Sequence, residues 1–484
     1  MRERFLTPSR VFGRALAFVL ALTTISSSLL AALPAKADLF EFTMTDEKKL
    51  GEKFNVLIRS KLPMLQDSEV VDYVDDMVQR LGKQPPLPPF KLTVAVVQDN
   101  TVNAFAAPAG YVFVFTGLIL HMHHESELAG VLAHEISHVS QRHIAKRMQQ
   151  GTYMSIAAML GTLAGIALGA ATKSNAGMAV ATGAQAAATQ SMLNYSRDDE
   201  READEVGMNR LVEAGYPPRG LPDSFEILDR LRILQGGGTV ATYLSTHPGI
   251  TERISYLKER VRRMPPDVVS RPDHDERFLR IQTIIRARYS DPLVAIAWYG
   301  KKGAAMTKID RLGLAMALGR TTNNAGARQA FETALKEGGD DPLWLREAGL
   351  FFLKMRDFDR ARTLLGKAVE LKPGDMIATA SYAQILAGDH RYPEALGLLR
   401  RVLAAMPGSV GVHQEMGRIY GETGDMFHAY LNMAYGAIYG NNARQSKMYM
   451  EKTKGYAKSD ADRGEYAKLD ELFKERSKYW PETG

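Results

Sequence analysis

The densest set of chemically capable residues in the sequence is His134-Glu135-Ile136-Ser137-His138. On an α-helix, residues four positions apart lie on one face, so both imidazoles would reach the same metal ion. Glu135 lies one step from the first histidine, where its carboxylate can reach a water molecule on that ion without binding the metal itself. The spacing predicts a helix-borne metal site suited to hydrolysis, which needs a third ligand from elsewhere in the chain.

We expect the third ligand in the stretch 196–204, which is rich in Asp and Glu. If this stretch is helical, Glu200 and Asp204 lie one turn apart on a common face. Glu200 would then bind the metal, while Asp204 would accept a hydrogen bond from a metal-binding imidazole. Glu202 would point nearly opposite. The alternative interpretation is a solvated acidic helix start.

His143 follows His138 by five residues. On a continuous helix that offset turns the side chain about 140° away from the metal-binding face. We therefore interpret His143 as a structural residue or one that supports a ligand.

In combination with residues 103–106 (Asn-Ala-Phe-Ala) and Gly110, the motifs at 134–138 and 200–204 resemble those of the gluzincin metalloproteases, the group that contains HtpX and the CAAX prenyl proteases. That resemblance implies a zinc-dependent endopeptidase with Zn²⁺ as its cofactor. Glu200 would be the third zinc ligand beside His134 and His138. Glu135 would be the base that takes a proton from the attacking water, and no covalent intermediate would form.

The same resemblance assigns two further elements of the site. An edge strand that pairs with an extended substrate would be formed by Tyr111, Val112, Phe113, Val114 and Phe115. His247, which is followed by Arg253, matches a histidine that occupies the open zinc position and holds the enzyme inactive. Two chemical roles are open to His247, a removable fourth ligand or a donor to the oxyanion of the attacked carbonyl, beside a plain helix-capping role.

The C-terminal half repeats with a period of 34 residues. Small residues recur at that interval in two series, at Ala315, Gly349, Ala383 and Gly417 and at Ala327, Ala361, Ala395 and Ala429. A 34-residue period with small residues where paired helices cross resembles the tetratricopeptide repeat, which stacks into a curved solenoid with a concave surface. Chance spacing among unrelated helices is the alternative.

The elements that must position the metal site are mostly helical. Apolar spacing predicts helix over 44–81 and again from Glu125 onward, with two short extended runs at 91–97 and 111–115 that form a small hairpin or meander. The fold class predicted is α+β, mainly α: a gluzincin metalloprotease domain with a small β-sheet, followed by an α-helical solenoid of tetratricopeptide repeats.

At 484 residues the chain is long enough for two or three domains. The predicted organisation is a signal peptide at 1–37, a zinc metalloprotease domain at 38–264, a linker and connecting helix at 265–306, tetratricopeptide repeats at 307–442, and C-terminal helices capping the solenoid at 443–484. The first segment has a basic start, an apolar run and a small-residue cleavage pattern, although a retained membrane anchor is the alternative. We therefore expect a periplasmic protein.

Charge and cysteine content narrow the class of protein. Without residues 1–37, Lys and Arg fall from 61 to 56 and Asp and Glu from 55 to 54, so the net charge falls from +6 to +2. A nucleic-acid partner is therefore not expected. The sequence contains no Cys, so packing and any bound metal must stabilise the fold without disulfides.

Residues 152–190 form a segment rich in Ala, Gly and Met. We predict a packed helical hairpin, an active-site cover or a peripheral membrane contact, and not a single membrane span, because residues on both sides of it build one metal site.

The resemblance to periplasmic gluzincins with repeats implies substrates among unfolded or misassembled outer-membrane proteins, and contact with the β-barrel assembly machinery through the solenoid. Two rivals stay open. One is a non-catalytic chaperone or adaptor with a structural zinc site, which would not need Glu135. The other is a membrane-embedded protease.

Overall fold

The computed structural model describes residues 42–150, 195–234, 241–478 and 480. Within these residues the chain is mostly helical with one three-stranded sheet, and its C-terminal half consists of paired helices, so the predicted α+β, mainly α architecture with a small sheet is confirmed. The predicted signal peptide and the segment 152–190 lie outside the described residues. Among the described residues, no helix combines the length and the apolar character that a membrane crossing requires.

The N-terminal helical region consists of two helices, α1 (Met44–Lys61) and α2 (Ser68–Gly82), where the apolar pattern predicted one. Helix α1 begins with a capping box, in which Thr43 and Asp46 each satisfy a backbone N–H of the other. It ends at Leu62, whose backbone is extended because Pro63 follows and disfavours the helical conformation.

The sheet contains β1 (Thr93–Val97), β2 (Ala104–Ala107) and β3 (Tyr111–Phe115), in the order β1-β3-β2. Strand β3 runs parallel to β1 and antiparallel to β2. The predicted hairpin or meander of two strands is therefore wrong, because the segment between them, interpreted as turn, supplies a strand of its own. Parallel neighbours need a crossover, and β2 lies within it.

In the described part of residues 42–269, which we call the protease half after the domain predicted there, eight further helices surround or follow the sheet. They are α3 (Thr116–His121), α4 (Glu125–Ser140), α5 (His143–Gln150), α6 (Arg197–Glu213), α7 (Gly220–Leu234), α8 (Ala241–Thr246), α9 (Ile250–Arg262) and α10 (Pro266–Val269). Helix α4 is buried along nearly its whole length and is crossed closely by two neighbours. A Cβ on Gly130 of α4 would lie 2.7 Å from Leu221 Cα of α7, and one on Gly207 of α6 would lie 3.2 Å from His134 Cα.

Two connecting helices, α11 (Glu276–Ile284) and α12 (Pro292–Gly300), are joined by a π-helical turn, Ile285–Tyr289. The paired helices that follow are α13 (Lys308–Leu318), α14 (Asn324–Gly338), α15 (Pro342–Lys354), α16 (Phe358–Leu371), α17 (Met376–Gly388), α18 (Tyr392–Ala405), α19 (Val410–Glu422), α20 (Met426–Tyr439), α21 (Ala443–Tyr456) and α22 (Asp460–Ser477). From α13 to α20, the first helices of successive pairs begin 34 residues apart, and so do the second helices, which matches the sequence period.

The protease half and the repeats share one apolar core, which runs from Leu65 to Ile385. Hydrogen bonds also cross between them: Asn441 Nδ2 donates to Ser60 O at 2.9 Å, and Gln66 Nε2 donates to Gly408 O at 3.2 Å. The solenoid therefore packs directly against the protease half.

Candidate metal centre

Helices α4 and α6 position the candidate ligands. The start of α4 is stabilised by Glu127, which accepts a hydrogen bond from His124 N at 3.0 Å. Helix α6 begins with a capping box, in which Asp199 N donates to Ser196 Oγ and Ser196 N donates to Asp199 Oδ2, both at 3.0 Å. The N-terminal ends of both helices are thus fixed. Because Gly207 lets α6 approach α4 closely, the inward faces of the two helices meet.

The structure brings His134, His138, Glu200 and His247 together, all buried. The Nε2 atoms of His134 and His138 are 3.0 Å apart. Each of these atoms lies 3.5 Å from a carboxylate oxygen of Glu200. Two imidazole nitrogens and one carboxylate around a common point match the ligand set of a catalytic zinc site.

A buried ion pair contacts His134 at Nδ1, the ring nitrogen that does not face the other candidate ligands. His134 Nδ1 lies 2.9 Å from Asp204 Oδ1. Asp204 in turn accepts hydrogen bonds from Arg253 Nε at 2.8 Å and Arg253 Nη2 at 2.7 Å, and from the Tyr256 hydroxyl. Arg253 also forms an ion pair with Glu200. Arg253 thus neutralises both acidic groups and fixes their positions.

Glu135 faces the sheet edge as well as the ligands. Its Oε2 accepts a hydrogen bond from the backbone N–H of Ala106 at 3.2 Å. Its Oε1 is buried, lies 3.5 Å from His247 Nε2, and accepts no hydrogen bond of good geometry among the described residues. A buried carboxylate oxygen without a hydrogen bond is available to accept one from a water molecule at the metal.

His247 lies within the ligand set. Its Nδ1 is 2.9 Å from Glu200 Oε1 and 3.3 Å from His134 Nε2. Its ring stacks on Tyr243, with 4.5 Å between centroids, and on Tyr195, with 5.2 Å. The two aromatic rings hold the imidazole in place.

The electrostatics of the ligands are strongly coupled. Burial and Arg253 oppose protonation of His134, but hydrogen bonds with Asp204 and Glu200 outweigh them and raise its pKa to about 9. Burial, followed by the charge of His134, lowers the pKa of His138 well below its usual value. Burial opposes ionisation of Glu200, yet His247 and Arg253 hold its pKa well below the usual value. Glu200 is therefore held in its ionised form, which is the form that binds a metal ion.

The predicted edge strand is wrong. Strand β3, which contains Tyr111, Val112, Phe113, Val114 and Phe115, pairs on both sides and is the central strand. The strand beside Glu135 is β2, which pairs only with β3 among the described residues. Asn103 O accepts from Phe115 N, so the alternate residues Ala104 and Ala106 direct their backbone groups away from the sheet.

Several residues of the site were missed in the sequence. Tyr195 stacks on His138 with 3.8 Å between ring centroids, and Tyr243 and Tyr256 contact His247 and Asp204. Two of them had a usable signal: Tyr243 precedes His247 by four residues, and Tyr256 follows Arg253 by three, which are same-face spacings on a helix. Tyr195 had no such signal.

Comparison with known proteins assigns the class. Residues 65–261 match the profile of Peptidase family M48, and residues 347–410 match that of the tetratricopeptide repeat. The chain therefore combines a Peptidase family M48 domain with tetratricopeptide repeats.

Its relatives carry a more specific name. The putative beta-barrel assembly-enhancing protease of Vibrio cholerae is 30% identical over 334 residues, which cover 68% of this chain and 62% of that protein. The beta-barrel assembly-enhancing protease of Escherichia coli is 31% identical over 224 residues, which cover 46% of this chain and 45% of that protein. The mitochondrial metalloendopeptidase OMA1 of Arabidopsis thaliana is 33% identical and covers 34% of this chain and 31% of its own length. The matched regions thus span less than two thirds of each relative.

Two solved structures are similar to parts of the chain. The Cut9–Hcn1 hetero-tetramer of the APC/C covers 69% of this chain and 73% of its own chain, at 15% identity and a TM-score of 0.33. The tetratricopeptide repeat protein YrrB covers 35% of this chain and 89% of its own, at 19% identity and a TM-score of 0.29. Both TM-scores are below 0.5, so neither structure assigns a role to this chain.

Proposed function

We propose that this protein is a zinc-dependent endopeptidase of the periplasm, which degrades unfolded or misassembled outer-membrane β-barrel proteins. The observation that carries the proposal is the convergence of His134, His138 and Glu200 beside the carboxylate of Glu135. The names of the relatives and the predicted signal peptide at 1–37 support the location and the substrate class.

The chain's own residues divide the chemistry between them. A zinc ion held by His134, His138 and Glu200 would supply a Lewis acid for the scissile carbonyl and would lower the pKa of a water molecule. Glu135 takes the proton of the attacking water and passes it to the leaving amine. Because Asp204 accepts from His134 Nδ1, His134 keeps its Nε2 free for the metal.

The substrate would bind as an added strand on β2. The outward-facing N–H and C=O of Ala104 and the C=O of Ala106 offer a donor and acceptors to an extended peptide. Because Ala106 N–H already contacts Glu135, a peptide paired there lies beside the base. Backbone pairing tolerates many sequences, which suits the disposal of unfolded chains.

His247 would act as a removable gate. Its Nδ1 lies among the candidate ligands, 2.9 Å from Glu200, which supports a fourth-ligand role over that of an oxyanion donor. A structural zinc site is normally closed by four ligands, whereas a catalytic one keeps a position open. The protein would thus be inactive until His247 withdraws.

The tetratricopeptide repeats would hold protein partners, with the β-barrel assembly machinery as the proposed partner. Residues 152–190 would make a peripheral membrane contact. Both proposals rest on the sequence and on the names of the relatives.

The test compares three forms of the mature chain: wild type, His247→Ala, and His247→Ala combined with Glu135→Gln. Bound zinc is measured in each, and an unfolded outer-membrane β-barrel protein is the substrate. We expect the single variant to cleave faster than wild type and the zinc-loaded double variant not to cleave. Glu205→Gln, on the exposed face of α6, is the matched carboxylate control; combined with His247→Ala it should cleave as His247→Ala alone does.

Failure would favour the second candidate function, a non-catalytic adaptor. His247 closes the ligand set to four, which is the observation that favours a structural zinc site. If every form is folded and holds zinc but none cleaves, the adaptor replaces the protease.

A further inference from the structure

The outward ring nitrogen of His138 contacts a second imidazole. His138 Nδ1 lies 2.8 Å from His143 Nδ1, and His143 Nε2 lies 3.1 Å from Glu202 Oε2. The His143 side chain is fully buried, whereas Glu202 reaches the surface with 44% of its side chain exposed. A chain of polar contacts therefore runs from the candidate metal centre to the surface of α6.

The turn that ends α4 creates this contact. On a continuous helix His143 would point away from the metal, but α4 ends at Ser140, and Arg142 adopts a left-handed backbone with φ of 54°. That conformation costs a non-glycine residue of order 1 kcal/mol, so surrounding contacts must hold it. Arg142 donates to the buried Glu47 of α1 from Nε at 3.0 Å and from Nη2 at 2.9 Å. The reversal at Arg142 brings the His143 ring back over His138.

When His138 binds a metal, only one arrangement of protons satisfies the hydrogen bonds among His138, His143 and Glu202. The Nε2 of His138 faces Glu200 and His134, so Nδ1 must carry the proton. His143 Nδ1 then accepts that proton's hydrogen bond, and His143 Nε2–H donates to Glu202. Each imidazole thus has one donor and one acceptor, and both are used.

We propose that His143, backed by Glu202, is a positioning residue that fixes the tautomer and ring orientation of His138 for metal binding. The inference rests on the proposed zinc site and adds to it a second supporting contact. His134 is supported by a carboxylate that Arg253 neutralises, whereas His138 is supported by a neutral imidazole. Partners of this kind typically change metal affinity by about 10- to 100-fold when they are removed.

The test separates an acceptor role from simple packing. In His143→Asn, the amide oxygen takes a place near that of Nδ1 and can still accept from His138, while His143→Leu fills similar space without an acceptor. Zinc affinity is measured by competition with a chelator, and thermal unfolding of the zinc-free form reports packing. We expect His143→Leu to bind zinc about 10- to 100-fold more weakly than wild type and His143→Asn to keep affinity within about 3-fold of wild type.

Substitutions on α6 provide a second measurement that leaves the core intact. Glu202→Gln should weaken zinc binding about 2- to 10-fold because it removes the charge at the end of the contact chain. The matched control Glu205→Gln, on the exposed face of the same helix, should leave affinity unchanged.

The outcomes distinguish the two proposals. If His143→Leu and His143→Asn weaken zinc binding equally, or neither does, the positioning role is overturned while the zinc site stands. If His143→Leu does not fold, equal zinc affinity of Glu202→Gln and Glu205→Gln overturns it. A folded wild type that binds no zinc overturns both the positioning role and the proposed enzyme.

Discussion

Replacing Arg346 by Met should loosen the junction between the protease half and the repeats. The Arg346 side chain is fully buried on α15, and it donates to Asp375 at 2.9 Å, to Glu347 at 2.8 Å and to Glu69 at 3.2 Å. Glu69 lies on α2 of the protease half, so the guanidinium joins the two halves. Removing one member of a buried ion network leaves uncompensated charge and costs about 3–5 kcal/mol.

The lower end of that range applies here. Glu347 keeps a second cation, Arg288, at 2.6 Å, and Glu69 keeps Arg280. Among the described residues, Asp375 has Arg346 as its only ion-pair partner, and it is 1% exposed. We therefore expect the free energy of unfolding to fall by about 3 kcal/mol, mostly because the Asp375 carboxylate is left buried without a cation.

Urea unfolding followed by tryptophan fluorescence measures the effect, because the buried Trp344 lies on the same helix. The control is Lys367→Met, which removes an exposed pair with Asp340 and should change the free energy of unfolding by less than about 1 kcal/mol. If Arg346→Met costs no more than Lys367→Met does, the buried network does not stabilise the junction.

The pH dependence gives an independent check. Burial opposes ionisation of Glu69, but Arg346, Arg280 and Lys372 outweigh it and lower its pKa below the usual 4.5. A lowered folded-state pKa adds stability above the unfolded value, and that stability is lost as the pH falls through the folded value. Without Arg346 this contribution shrinks, so the stability gap between wild type and variant should narrow below about pH 4.5. A gap that widens on acidification would contradict the assignment.

Three further predictions concern packing and the site. Gly130→Ala should lower the free energy of unfolding by about 1–3 kcal/mol, because the added Cβ would meet the Leu221 backbone. Gly397→Ala in α18 has open space around the added Cβ and should raise that free energy by about 0.5–1 kcal/mol. Calorimetry measures both changes. Ala106→Pro removes the N–H that donates a hydrogen bond to Glu135 and should lower kcat/KM about 10- to 100-fold. Zinc content should stay unchanged, because an edge strand tolerates proline. Asp204→Asn should weaken zinc binding about 10- to 100-fold in chelator competition, and unchanged affinity would show that Asp204 does not orient the imidazole behind it.

Local patterns in the sequence were sufficient for much of the architecture. The repeat period predicted helices that begin 34 residues apart, because each repeat forms its own helix pair and stacks on its neighbour. The spacing of His134 and His138 predicted that both lie on one helical face, which the 3.6-residue turn alone requires. Such features depend on residues a few positions apart, so one sequence reveals them.

Only the tertiary structure decided which groups meet across the chain. Strand β2 became the edge strand because β3 pairs with β1 in parallel, a choice that no local pattern records. Arg142 reverses the chain after α4 because Glu47, on a distant helix, holds it there, and this brings His143 to His138. Local periodicity sets the direction of a side chain only while its helix continues, and contacts between distant segments decide where that helix ends.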